Sequence, residues 1–110
     1  MRNLLRMYRK KSELTIEDVA QLLELQESST LSRCERNERK PCFEVVFTYH
    51  LLFNVSIEKL FEDEMKFTLK KIRKNIDPLI TELKKQSTTR KIRARIAFLN
   101  SLKDLIDKKI

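Results

Sequence analysis

The chain contains no glycine at any of its 110 positions, and two prolines. Tight two-residue hairpins need residues that accept positive φ, above all glycine. A chain without that residue has little with which to build a sheet of short strands, and an all-helical fold is expected. Helices end readily on residues other than glycine, because Asn also tolerates the left-handed conformation. About two fifths of the residues are apolar. A length of this order corresponds to one domain, or a small domain with an appendage, and such a domain buries roughly 60–70% of its unfolded surface.

Apolar spacing places the helices. Residues 2–11 set Leu4, Leu5 and Tyr8 at helical intervals among Arg2, Arg6, Arg9 and Lys10. "TIED" opens a second helix, with Thr15 and Asp18 spaced as a capping box. Val19, Ala20, Leu22 and Leu23 mark its expected inner face, and Leu25 falls in the connection. A third helix is expected over Ser28–Arg36 with Leu31 and Cys34 inward, stopped by Asn37 and kept from resuming by Pro41. A fourth covers Phe43–Phe53, with Phe43, Val46, Tyr49, Leu52 and Phe53 inward and Asn54 as its stop. Ser56 caps a short fifth helix anchored by Ile57, Leu60 and Phe61. These five share one expected core, giving a domain at 1–61 and an extension at 62–110.

The extension has a different character. Met65, Leu69, Ile72, Ile76, Leu79 and Leu83 are spaced 4, 3, 4, 3, 4, a narrow stripe suited to another helix. Glu62, Asp63 and Glu64 stand at its start, where the helix dipole favours negative charge. Pro78 is expected to kink or split this helix, with Asp77 capping a second half. A last helix, about Thr89 to Lys109, carries Ile92, Ile96, Leu99, Leu102 and Ile106. The two segments either fold back as a hairpin or pair with a second chain.

Charge divides close to that boundary, just past the acidic helix start. Residues 1–65 carry 10 Lys/Arg and 12 Asp/Glu, a net of −2, whereas residues 66–110 carry 14 and 4, a net of +10. A basic segment suggests an anionic partner, or simply a solvated helix surface. No stretch approaches the roughly 18 apolar residues of a membrane span, and no secretory h-region opens the chain, so it reads as reduced and cytosolic. Cys34, Cys42 and His50 fit no common zinc spacing and lack a fourth ligand, so no metal is expected. No cofactor motif is present. The lone His and the absence of a Gly-rich phosphate loop argue against an enzyme.

The stretch "LTIEDVAQLLELQESSTLSRCERNERKPCFEVVFTYHLLFNVSIEKLF", Leu14 to Phe61, resembles the Cro/Xre family of helix-turn-helix DNA-binding domains, which includes the lambda-type repressors. The likeness lies in "TIEDVAQLL", "STLSRCER", "NERKP" and "LLFNVSIEKLF", in order and at the family's spacing. It implies a lambda-repressor-like five-helix domain followed by two further helices. There are departures. Ile16 stands where the family often has a phosphate-touching Gln, and Glu24 stands where the turn usually has Gly. "ELQESS" is one residue longer than the commonest turn, which offers a way to avoid a left-handed residue there.

The resemblance implies that helix 28–36 enters the major groove of double-stranded DNA, its N-terminal end nearest the bases. Ser28, Ser29, Thr30 and Ser32 are short enough for close approach and have hydroxyls for phosphate or base edges, unless they serve as caps. Gln26 suits adenine or a phosphate. Arg33 suits guanine or a phosphate, or pairs with Glu27 or Glu35. Arg36, Arg39 and Lys40 suit phosphates, which fix orientation without reading sequence. Glu27 accepts from a cytosine amino group or points away. The function implied is a transcriptional regulator acting as a homodimer, the tail supplying the dimer contact. The competing expectation is a protein-interaction module, antitoxin-like or polymerase-associated, whose basic tail docks an acidic partner.

Overall fold

The computed structural model describes residues 2–110. They form α1 (Leu5–Lys11), α2 (Ile16–Leu22), α3 (Ser29–Glu35), α4 (Phe43–Phe53), α5 (Ile57–Leu60), α6 (Glu62–Lys84) and α7 (Arg90–Lys109), with no strand among them. Two compact units result, Met1–Met65 and Lys66–Ile110.

In the first unit, the core gathers Leu5 of α1, Val19 and Ala20 of α2, Leu31 and Cys34 of α3, Val45 and Tyr49 of α4, and Val55 and Leu60 beyond it. Burying each large aliphatic side chain contributes about 1.5–3 kcal/mol. The capping box at Thr15 forms as its spacing requires. Asp18 N–H donates to Thr15 Oγ1 at 3.1 Å, and Thr15 N–H donates to Asp18 Oδ2 at 2.9 Å. Ser56 caps α5 in the same way, accepting from Lys59 N–H.

Four inward assignments differ, one of them Ile57, an expected anchor of α5 that is exposed. The inner stripe of α2 is Ile16, Val19, Ala20 and Leu23, which leaves Leu22 on the solvent side. In α4, nearly every residue is apolar, so spacing alone fits more than one register. Val45 and Tyr49 are buried there, Val46 and Phe53 are half-buried, and Phe43 and Leu52 are exposed. The register is fixed by a polar bond, described below, that draws Tyr49 to the centre.

Among the described residues, four non-glycine residues carry positive φ: Glu13 (68°), Glu24 (58°), Asn37 (62°) and Asn54 (49°). Each follows a helix. At α2, Leu25 N–H donates to Ala20 O (2.9 Å) and Glu24 N–H to Gln21 O (3.1 Å). At α3, Glu38 N–H reaches Arg33 O (2.9 Å) and Asn37 N–H reaches Cys34 O (3.1 Å). Both are the paired closing bonds of a left-handed helix stop. The longer α2–α3 turn therefore does not avoid the left-handed conformation. Glu24 adopts it, because the two closing bonds satisfy carbonyls that would otherwise be orphaned.

In the second unit, α6 and α7 fold back on each other within one chain. Ile76, Ile80 and Ile106 are buried together, with Leu69, Ile96, Leu99 and Leu102 packed against them. Arg73 Nε donates to Asp107 Oδ1 at 2.8 Å and Lys103 Nζ to Asp77 Oδ1 at 3.0 Å, which sets the pair antiparallel. Thr89 caps α7 by accepting from Ile92 N–H. Pro78 does not split α6, which continues from Glu62 to Lys84. Its ring lies on the exposed side, while Ile76, Ile80 and Leu83 hold both flanks into the seam. Asp77 accordingly caps nothing and pairs with Lys103 and Arg73. Of the heptad stripe, Ile72 and Leu79 stay exposed and Ile80 takes an inner place.

A left-handed Glu costs about 1–2 kcal/mol, whereas Gly gives back about 0.4–1 kcal/mol through a freer unfolded chain. Glu24→Gly is therefore expected to raise stability by about 0.5–1 kcal/mol. Asn37→Gly is expected to change it less, since Asn already tolerates the conformation. Urea unfolding midpoints measure both, and a lower midpoint for Glu24→Gly would remove strain from the account.

Candidate nucleic-acid interface

The short helix α3 is fastened from behind by one carboxylate. Glu35, at its last turn, is almost wholly enclosed. Arg9 of α1 grips it with two bonds, Nε to Oε2 at 2.8 Å and Nη2 to Oε1 at 2.9 Å. Tyr49 of α4 donates its hydroxyl to Oε2 at 2.6 Å. The third arm of Arg9 reaches the carbonyl of Leu14 at 3.1 Å. Such forked, charge-assisted bonds are about twice as strong as neutral ones and fix orientation as well as distance. The bond to Glu35 raises the Arg9 pKa above its ordinary value. Burial, then the bond to Glu35, pushes the Tyr49 hydroxyl well above the usual phenol range.

Asn3 closes the other end of this clamp. Its Nδ2 donates to Cys34 O at 2.9 Å and to Asn37 Oδ1 at 2.8 Å, while its Oδ1 accepts from Leu5 N–H. The stop after α3 is thereby tied to the start of α1. With Leu31, Cys34 and Glu35 inward, the other side of α3 faces outward.

That outer side holds the candidate residues in unequal states. Gln26, Ser29, Arg33, Arg36, Arg39 and Lys40 are exposed, and Ser28, Thr30 and Ser32 are half-buried. Ser28 precedes the helix yet makes no side-chain capping bond. Ser29 gives its hydroxyl to Glu27, so Glu27 is turned back onto the helix start. Arg33 pairs with neither Glu27 nor Glu35. Glu27 takes Ser29, and Glu35 is occupied by Arg9 and Tyr49. Arg36 is engaged locally, donating to Ser32 Oγ at 2.8 Å and pairing with Glu38 at 2.9 Å. That pairing raises the Arg36 pKa and holds the Glu38 carboxyl below its ordinary value. Arg33, Arg39 and Lys40 form no ion pair among the described residues.

Three further cations join the surface. Arg2, Arg6 and Lys10 recur every four residues along the first segment, and with Arg36 and Asn37 they line one shallow recess. Arg2 and Arg6 were not among the candidate residues. Their four-residue spacing was the available signal. Ile16 is half-buried against the core, with Arg6, Ser32 and Arg36 around the neighbouring hollow.

A second feature adjoins the loop after α3. Phe43, Phe47 and Leu51 stand four residues apart on the outer side of α4, with Phe43 80% and Leu51 75% exposed. The Phe43 and Phe47 rings stack with centroids 6.1 Å apart. With Ile57, Phe61 and the Arg39–Pro41 segment they bound a groove of about 500 Å³. Cys34 is buried, which raises its thiol pKa, and Cys42 is exposed. Among the described residues, no helix is long and apolar enough to cross a membrane.

Glu35→Ala leaves the Arg9 guanidinium and the Tyr49 hydroxyl without their enclosed partner. A loss of about 3–5 kcal/mol is expected, the range for breaking a buried pair from one side. Chemical denaturation measures it, and a loss below about 1 kcal/mol would show that α3 is not held by this carboxylate. Because the folded Tyr49 pKa lies above its unfolded value near 10, its contribution is intact below that pH and is lost as pH rises beyond it. Tyr49→Phe is expected to flatten this alkaline loss of stability. The chain matches no protein-family model, no curated protein and no solved structure.

Proposed function

We propose that the first unit is a lambda-repressor-like helix-turn-helix domain of the Cro/Xre kind, and that the protein is a sequence-specific DNA-binding transcriptional regulator acting as a homodimer. The observation that carries this reading is the clamp on α3. A seven-residue helix is held from behind by Leu31, Cys34 and the Arg9–Glu35–Tyr49 bonds, with a polar, cation-bearing side left outward. Phosphate contacts set register and base contacts set sequence. In this reading Arg39, Lys40, Arg6 and Arg2 supply the first. Gln26, Ser28 and Thr30 at the helix start, and Arg33 in its last turn, supply the second. Arg36 joins after exchanging Glu38 for a phosphate.

A second reading rests on the aromatic row of α4. Exposed Phe43 and Phe47 beside Arg39 and Lys40 suit a protein partner better than a duplex. With the net charge of −2 over residues 1–65, this favours an interaction module in the antitoxin or polymerase-associated manner. The basic second unit, net +10, suits an acidic partner in either reading.

Selection of duplexes from a random pool provides the site for the test. On that site Arg33→Ala is expected to lose about 1–3 kcal/mol of affinity and to relax sequence preference, as removal of a base-reading arginine does. Lys40→Gln is expected to weaken all duplexes alike and to lower the salt slope by about one. Amide shifts of residues 26–36 that no selected duplex moves would sink the DNA reading. Shifts at Phe43 and Phe47 on adding a protein partner, without duplex binding, would establish the second one.

A further inference from the structure

We propose that a second copy of this chain docks on one face of the α6–α7 hairpin, through Ile72, Leu79, Phe98 and Leu105, to complete a four-helix bundle. The inference gives the homodimer of the proposed function its surface, and its test needs no DNA.

The hairpin buries little by itself. Ile76, Ile80, Leu83 and Ile106 are at most 7% exposed, whereas Ile72 (40%), Leu79 (43%), Phe98 (69%) and Leu105 (52%) remain open. Two helices packed along one seam leave their flanks wet, and bundles solve this by adding helices. The four open residues are not scattered. Ile72 and Leu79 lie seven apart on α6, and Phe98 and Leu105 lie seven apart on α7. Each stands one position before a seam residue: Arg73, Ile80, Leu99 and Ile106. In two antiparallel helices of the same hand, equal displacements from the seam fall on the same side of the pair. All four therefore share one face of the hairpin.

Charge identifies the occupant. Of the 45 residues from Lys66 onward, 18 are charged, 14 of them Lys or Arg. On that side of the helices, however, Asn75 lies between Ile72 and Leu79 and Ser101 between Phe98 and Leu105, with Thr68 and Ala94 one turn before them. The stretch between the open residues is uncharged, and its far ends carry one acid, Glu82, and one base, Lys108. On α6, Lys70 and Lys74 lie two residues either side of Ile72, which puts them across the helix from it. An acidic partner would find its complement on that cationic side. The charge-poor face instead tolerates a copy carrying the same strong positive charge. A two-fold interface also requires one patch to match itself. Equal seven-residue spacing on both helices meets that requirement, and small Ala94 and Ser101 leave room for bulky rings from across the interface.

The full chain is measured by sedimentation velocity at concentrations up to about 100 μM, in the range where micromolar dimers are populated. The dimer mass is expected for the natural sequence. Half that mass is expected for Phe98→Glu with Leu105→Glu, with helical circular dichroism unchanged. A monomeric natural chain, or a folded double variant that stays dimeric, would overturn the proposal. If the double variant loses its helices, the natural chain decides through mixed isotope labelling. Contacts between chains from the Phe98 ring to the Leu79 or Ile72 methyls support the interface, and their absence refutes it. A dimer that ignores every selected duplex keeps this interface and sinks the DNA reading. A monomer that binds a duplex does the reverse.

Discussion

The Glu35 carboxylate is the point on which the first unit turns. Three helices send it a donor or depend on its position, and each meets a different demand. Arg9 anchors α1 and the connection at Leu14, Tyr49 sets the face that α4 turns inward, and Glu35 itself fixes the roll of α3. A purely apolar contact would tolerate a rotation of α3 by a fraction of a turn, because aliphatic packing is weakly directional. A forked pair is not tolerant in that way. The outward presentation of Arg33 and the hydroxyls thus follows from a polar bond inside the fold. Such bonds are weak evidence for overall stability and better evidence for a unique arrangement.

Much of the helical framework was legible from short-range chemistry. Thr15, Ser56 and Thr89 start helices because a hydroxyl can take an orphaned N–H, and that decision is made within four residues. Asn37 and Asn54 stop helices for an equally local reason. Glu13 and Glu24 also stop helices, yet a glutamate does not announce a left-handed conformation. Their identity is set by where the chain must turn. The α4 register was illegible because its apolar residues run almost all the way round, and only the partner of Tyr49 selects among faces. Pro78 misled for a related reason. A proline's cost is local, but the seam on both sides of it is longer and outweighs the break.

Among the candidate residues, sequence position gave proximity and not state. Nothing in the spacing of Ser32, Arg36 and Glu38 distinguishes a free arginine from one already paired. Arg33 is the reverse case, since its expected partners Glu27 and Glu35 are both taken by others. The pairing that matters most, Arg9 with Glu35, spans 26 residues and two turns, beyond the reach of any helical periodicity. The long-range part of the site is thus a property of packing.

The two thiols are separated by environment as much as by sequence. Cys34 lies in the core with its pKa raised by burial, whereas Cys42 sits in the open immediately before Phe43. Thiolate, and not thiol, reacts with maleimides. A single fluorophore would therefore attach at Cys42 without mutagenesis, placing an optical reporter next in sequence to Phe43 of the aromatic groove and a few residues from Arg39 and Lys40.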